Sequence, residues 1–261
     1  MMWLNKLIDF WWRKKKMPRD KSTEYYENLF LTMKILPEKE SRVISIREDI
    51  IRNFSRYSYV SNLVGLPWEV IGAIHHMECS GDFRLGLHCG QPWNEETTWV
   101  PKGRGPFTSW EMAAVDAILM KSHLLKEEWT SGDIGYFLEA YNGFGYANKD
   151  KGSPYLWSFT NHGVGTGKYV SDGTYDSDAV SSQCGAMPII KSLMEENRLL
   201  VDPREIIYIS PSDYSEYALE FQKFANKIFE MRGEDKRIVV DGYPGRNTQI
   251  AIEKIFGRII R

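Results

Sequence analysis

At 261 residues the chain is long enough for one large domain, or for a catalytic domain and a small module. Hydrophobic residues at 43% and charged residues at 26% fit a soluble globular protein and exclude wholesale disorder. A net charge of −2 lacks the electrostatic footprint of a nucleic-acid binder, so no nucleic acid is expected as a partner.

Residues 1–16 set apolar Trp3, Leu4, Leu7, Ile8, Phe10, Trp11 and Trp12 before basic Arg13, Lys14, Lys15 and Lys16. A secretory signal has the opposite order and an uninterrupted apolar run, and the segment is too short to span a bilayer. Two readings stay open for 1–21: an amphipathic basic helix on a membrane surface, or a helix packed on the main domain. No standard export signal is legible.

From Ser22 to Val60 the chain reads as helices with loops, Leu29, Met33 and Leu36 falling at helical spacing, as do Ile46, Ile50 and Phe54. Pro67 opens the next helix, which runs to Glu78 before Gly81 and Asp82 end it. From Phe83 to Phe107, Gly, Pro, Thr and Trp predict an irregular segment with a short β-hairpin around Gln91 to Pro101. Thr108 and Glu111 have capping-box spacing and predict the next helix start. A helix over about Gly132 to Tyr141 follows, then a long polar, aromatic loop from Asn142 to Asp176, a length that usually carries function. A helix from about Ser177 to Glu196 is expected, with Val180, Cys184, Met187 and Leu193 inward and Pro188 bending it. Val201 to Pro211 reads as a linker. Residues 212–261 read as a small domain, with helices from Tyr214 to Met231 and Thr248 to Phe256.

Glycoside cleavage needs an acid that keeps its proton near neutral pH, and an apolar setting raises a carboxyl's pKa accordingly. Glu78 closes an apolar helix and precedes a glycine-rich aromatic segment, though spacing alone favours a solvated residue at a helix end. Aromatic residues make up 13% of the chain, enough to fill a core and still line a groove for sugar rings.

The run Ile74-His75-His76-Met77-Glu78-Cys79-Ser80-Gly81-Asp82-Phe83 resembles the Glu-Ser-Ser motif of the lysozyme-like superfamily, which includes goose-type lysozymes and soluble lytic transglycosylases. His88-Cys89-Gly90-Gln91-Pro92, Asn142 to Tyr146, Pro154 to Trp157, Asn161-His162 and Lys168 to Gly173 resemble, in order, further segments of lysozyme-like bacterial and phage proteins. Tyr141-Asn142-Gly143 is similar to the Tyr-Asn-Ala-Gly motif of lytic transglycosylases. The resemblance covers about Gly65 to Leu193. It implies a mainly α, lysozyme-like (α+β) domain over 22–200, with a small β-hairpin lining a sugar cleft. Glu78 would protonate the glycosidic oxygen beside a muramic-acid sugar, with Ser80 and His88 in the same motifs. Tyr141, Asn142 and Gly143 would position the glycan. Tyr146, Tyr155, Trp157, Asn161, His162 and Tyr169 would bind substrate, with core packing as the competing reading for the aromatic ones.

Relatives carry Asp where this chain has Gln91, which cannot ionise. Asp82, Glu95 and Glu96 are the nearby carboxylates that could serve instead. If none serves, the single-acid mechanism of lytic transglycosylases applies, and the product is an anhydro sugar. Residues Leu219 to Phe224 and Val240 to Thr248 resemble a small three-helix peptidoglycan-binding module, in which Asp241-Gly242 and Pro244-Gly245 make turns and Asn247 or Thr248 caps the last helix. The partner implied is therefore the glycan of the bacterial cell wall.

Other chemistries find no motif. There is no GxxxxGK[ST], HExxH or GxSxG, and no zinc-spaced Cys/His set, so no metal or cofactor is expected. Cys79, Cys89 and Cys184 are too few for a disulfide framework, with a Cys79–Cys89 bridge left open. Cys79 beside His75 and His76 lacks a third partner for a peptidase. A non-catalytic wall-binding protein of the same fold remains the second class.

Overall fold

A computed structural model describes residues 21–146, 152–171, 173–196 and 209–256. In chain order these form α1 (Thr23–Thr32), α2 (Glu40–Arg52), α3 (Phe54–Val64), α4 (Trp68–Cys79), α5 (Trp110–Leu119), α6 (Ser131–Tyr141), α7 (Pro154–Trp157), β1 (Lys168–Ser171), β2 (Thr174–Asp176), α8 (Ala186–Glu196), α9 (Glu216–Met231) and α10 (Arg246–Phe256). The protein is mainly helical with one small antiparallel sheet among the described residues. The basic segment 1–16 and most of the expected linker lie outside the described residues. Among those described, no helix is long and apolar enough to cross a membrane.

The chain divides into two compact units, one of Met1–Leu36 and Glu128–Gly185, the other of Pro37–Glu127 and Ala186–Arg261. In the first, α1 packs on α6 through two glycines. A Cβ on Gly132 would lie 2.2 Å from the Thr23 carbonyl oxygen, and one on Gly135 would lie 2.7 Å from Tyr26 Cβ. Only hydrogen fits there, so the α6 backbone comes up against the Thr23 backbone and the Tyr26 side chain. The start of α6 is held twice. Thr130 and Asp133 form a capping box, and the Glu27 carboxylate accepts from Ser131 Oγ at 2.7 Å and Gly132 N at 2.5 Å. β1 and β2 pair Tyr169 with Tyr175 across the sheet.

In the second unit α4 is the central helix. Val70, Ile71, Ala73 and Ile74 are buried on it, and it packs against α2, α3 and α8. His75 lies wholly inside and meets Tyr57, Phe83 and Trp110, with Tyr57 Oη 2.8 Å from its Nδ1. The Arg56 guanidinium stacks 3.9 Å from the Phe83 ring centre and pairs with Glu111. Residues 209–256 belong to this unit: α9 contacts α2, α10 contacts α3, and Phe224 meets Phe54 edge-on. Buried Gln222 ties their loop, donating to Asp241 Oδ1, the Tyr243 carbonyl and Thr248 Oγ1 while accepting from the amides of Asp241 and Gly242.

Several expectations are corrected. No strand forms from Gln91 to Pro101, and the sheet lies at 168–176 instead. Pro92 and Pro101 have no N–H for a ladder, and the Gln91 side chain takes the amides of Thr98 and Trp99. The cap of α5 is Ser109, not Thr108, its Oγ accepting from Met112 N at 3.2 Å. The helix expected from Ser177 starts at Ala186. Before it, Asp176 Oδ1 takes the amides of Asp178 and Ala179 in a turn, which leaves Val180 81% exposed rather than inward. Pro188 then falls in the first turn of α8, where a missing N–H costs no helical bond, so no bend is required. α10 begins two residues before Thr248, whose hydroxyl faces Gln222 instead.

Candidate functional site

Glu78 lies half-buried in the last turn of α4. The helix ends because Ser80 turns left-handed (φ 51°), and the amides of Ser80 and Gly81 return to the carbonyls of His76 and His75. The following chain folds back over this end. Cys79 Sγ donates to the Gly86 carbonyl at 3.3 Å, and Gly86 N donates to the Gln91 carbonyl at 2.8 Å. Gly90 (φ 69°) then passes so close that a Cβ would lie 2.8 Å from the Glu78 carbonyl oxygen. Burial pushes the Cys79 thiol up to about 12, and the adjacent Glu78 charge adds to it. Cys89 is raised as well, first by burial and then by the same carboxylate, so Glu78 acts electrostatically on this loop. Cys79, Cys89 and Cys184 are all free thiols.

The other candidates in this unit are held by the loop. Asp82 forms a two-point pair with Arg84, 2.6 Å at its shortest, and that hydrogen bonding pulls its carboxyl down to about 2. Asp82 is thus held toward its ionised form by Arg84. Gln91 Oε1 accepts from Thr98 N and Trp99 N at 2.9 Å each, and Nε2 donates to Thr98 Oγ1 at 2.9 Å. His88 stacks on Phe107 and meets Asp116 Oδ2 at 2.8 Å; Asp116 in turn pairs with Arg104. Burial lowers the His88 pKa, with Asp116 opposing. Glu95 and Glu96 are exposed.

The remaining candidates belong to the first unit. Asn142 and Gly143, at the end of α6, are exposed, while Tyr141 and Tyr155 are half-buried. Tyr146, Tyr169 and Tyr175 form a cluster of tyrosines: Tyr146 Oη accepts from Tyr169 N at 2.9 Å, and their ring centres are 5.2 Å apart. Tyr169 is 37% exposed and Val170 53% exposed, so both side chains reach solvent. Trp157 is 1% exposed and fills the core. His162 Nε2 lies 3.1 Å from Thr32 Oγ1, and Asn161 accepts from Lys34 N and donates to the Thr32 carbonyl. Asn161 and His162 thus fasten the chain after α1.

Sequence reasoning missed Glu139. It is 1% exposed in α6, its Oε1 has no hydrogen-bond partner, and the equally buried Tyr26 hydroxyl is also unpaired. Burial pushes the Glu139 carboxyl up to about 7, with Lys21 pulling the other way. The same burial, and then the Glu139 charge, raises the Tyr26 pKa. A protonated carboxyl near neutral pH is the state a general acid requires. The available signal was helical register, because Gly132, Gly135 and Glu139 share the face that meets α1.

Among the described residues no group of three or more His, Cys, Asp or Glu could hold a metal ion. Comparison with family models, with curated proteins and with solved structures finds no match to this chain.

Proposed function

We propose that the protein is a peptidoglycan-degrading muramidase acting at the bacterial cell wall. It would cut the β-1,4 bond between N-acetylmuramic acid and N-acetylglucosamine with Glu78 as general acid. The observation that carries the reading is the setting of Glu78: a half-buried carboxyl at the end of an apolar helix, with the Gly86–Gln91 loop closed onto its backbone. The exposed Tyr169 ring, backed by Tyr146 and Tyr175, suits the apolar face of a pyranose ring. Residues 212–256 are read as a wall-binding segment, which would raise the local concentration of cleavable bonds.

One observation favours the lytic transglycosylase alternative. Gln91 is committed to its loop and Asp82 to Arg84, so neither is released to activate water. A single acid that returns as base, with the sugar's own 6-hydroxyl as nucleophile, needs no second carboxylate.

Mass spectrometry of products from purified peptidoglycan, with wild type beside Glu78→Gln, tests both. Reducing-end muramic acid lost in the variant supports the hydrolase. Anhydro-muramic ends lost in the variant support the transglycosylase. No glycan products from either protein would leave the non-catalytic wall-binding reading.

A further inference from the structure

A cavity lies at the C-terminal end of α4, on the His76 side. His76 and Glu78 are two residues apart on the helix, about 200° around its axis, so their side chains leave on nearly opposite sides. The His76 side opens on a cavity of about 250 Å³ whose lining includes Arg42, Asp49, Asn53, Tyr57, His76 and Ser80. Arg42 and Asp49 are seven residues apart on α2, which places them on one face.

The polar groups divide sharply by what they already bind. Asp49 pairs with Arg52 at 2.6 Å, and Asn53 Nδ2 donates to the Asp49 carbonyl at 2.9 Å. The side chains of Arg42, His76 and Ser80, by contrast, make no hydrogen bond or ion pair among the described residues. These three donors line one space, and the Asp49 carboxylate that also lines it is engaged by Arg52. Burial and then the Arg42 charge hold the His76 pKa below its ordinary value, with Asp49 opposing. The lining carries one cation, Arg42, and one anion, Asp49, whose carboxylate is shared with Arg52.

We propose that this cavity binds a carboxylate-bearing ligand, with the carboxylate on the Arg42 guanidinium and the His76 imidazole and the Ser80 hydroxyl as a third donor. A planar carboxylate matches the Arg fork in two-point fashion. Asp49 on the rim disfavours a dianion such as phosphate and suits a ligand that carries an N–H beside its carboxylate, as the C-terminal end of a peptide does. The volume holds one or two amino-acid residues. The site does not depend on the function assigned to Glu78, because its binding is read without glycan cleavage.

The reporter is His76 itself, since an anion bound beside an imidazole raises its pKa. NMR titration of the His76 ring in the full chain, assigned with His76→Gln, would be run with acetyl-alanyl-alanine, its methyl ester and acetate. The peptide acid is expected to raise the His76 pKa by about 0.5 or more and to saturate, while the ester does nothing. Arg42→Ala, on the exposed side of α2, should weaken the peptide acid at least tenfold, and Arg42→Lys should restore part of that loss. A stronger response to the peptide than to acetate assigns the site to a chain end. Equal responses assign it to a small free carboxylate, and both outcomes keep the carboxylate site. No movement of His76 with the acid, or the same movement with the ester, overturns the proposal.

Discussion

Glu78 and Glu139 look alike in sequence, each within the last three residues of an apolar helix, yet the two units treat them differently. Glu78 is half-buried under a loop that closes on its backbone. Glu139 is sealed against α1, with one carboxyl oxygen unpaired and its pKa pushed up to about 7. The raised pKa of an acid catalyst is usually sought in the pocket that a motif marks. In this protein the motif marks one glutamate, and a strongly desolvated carboxyl lies elsewhere. Burial alone therefore does not identify the acid, because a carboxyl can be held protonated simply by the packing of two helices.

The sharpest way to break this comparison is catalytic. Glu78→Gln should lower glycan cleavage by about 10²–10⁴-fold, the usual contribution of a positioned general acid, with an unchanged circular dichroism spectrum. If Glu139→Gln abolished cleavage and Glu78→Gln did not, the roles would be reversed. On stability, Glu139 has the larger effect. Its carboxyl ionises from about pH 4.5 when unfolded and from about 7 when folded, so the folded state holds the extra proton in that window. Stability should fall as pH rises through the window and level off above it. Glu139→Gln removes that loss and should be the more stable form at pH 8, by about 1–3 kcal/mol in urea unfolding. Burial also raises the Glu69 carboxyl to about 7 and lowers His75 to about 4, and those contributions cancel in the difference between the two proteins. Gly90→Ala should cost about 1–3 kcal/mol, from the left-handed backbone and the contact with the Glu78 carbonyl, and should lower activity with it. Asp82→Asn should be mildest, within about 1 kcal/mol, because its partner Arg84 is exposed. A collapse of activity in that variant at intact stability would make Asp82 the second carboxylate.

Much of the helical framework was legible because apolar periodicity is local. α4, α6 and α9 appear within two residues of where their patterns put them. The hairpin was misplaced because a run of Gly, Pro and Thr does not reveal that Gln91 will occupy the amides a ladder needs. Thr108 and Ser109 are adjacent capping residues, and the hydroxyl that meets Met112 N is decided by geometry that spacing does not encode. The resemblance implies Trp157, Asn161 and His162 as cleft residues, while the contacts seen for them are core packing and loop fastening. Glu139 was missed because its burial depends on α1, about a hundred residues earlier in the chain.

The unequal burial of the three cysteines has a practical consequence. Cys79 and Cys184 are 5% and 2% exposed, whereas Cys89 is partly open and sits in the loop that folds over Glu78. An alkylating fluorophore should react first at Cys89, because it is the most accessible of the three thiols. The native chain thus carries its own attachment point for a spectroscopic reporter beside the proposed acid, with no engineered residue.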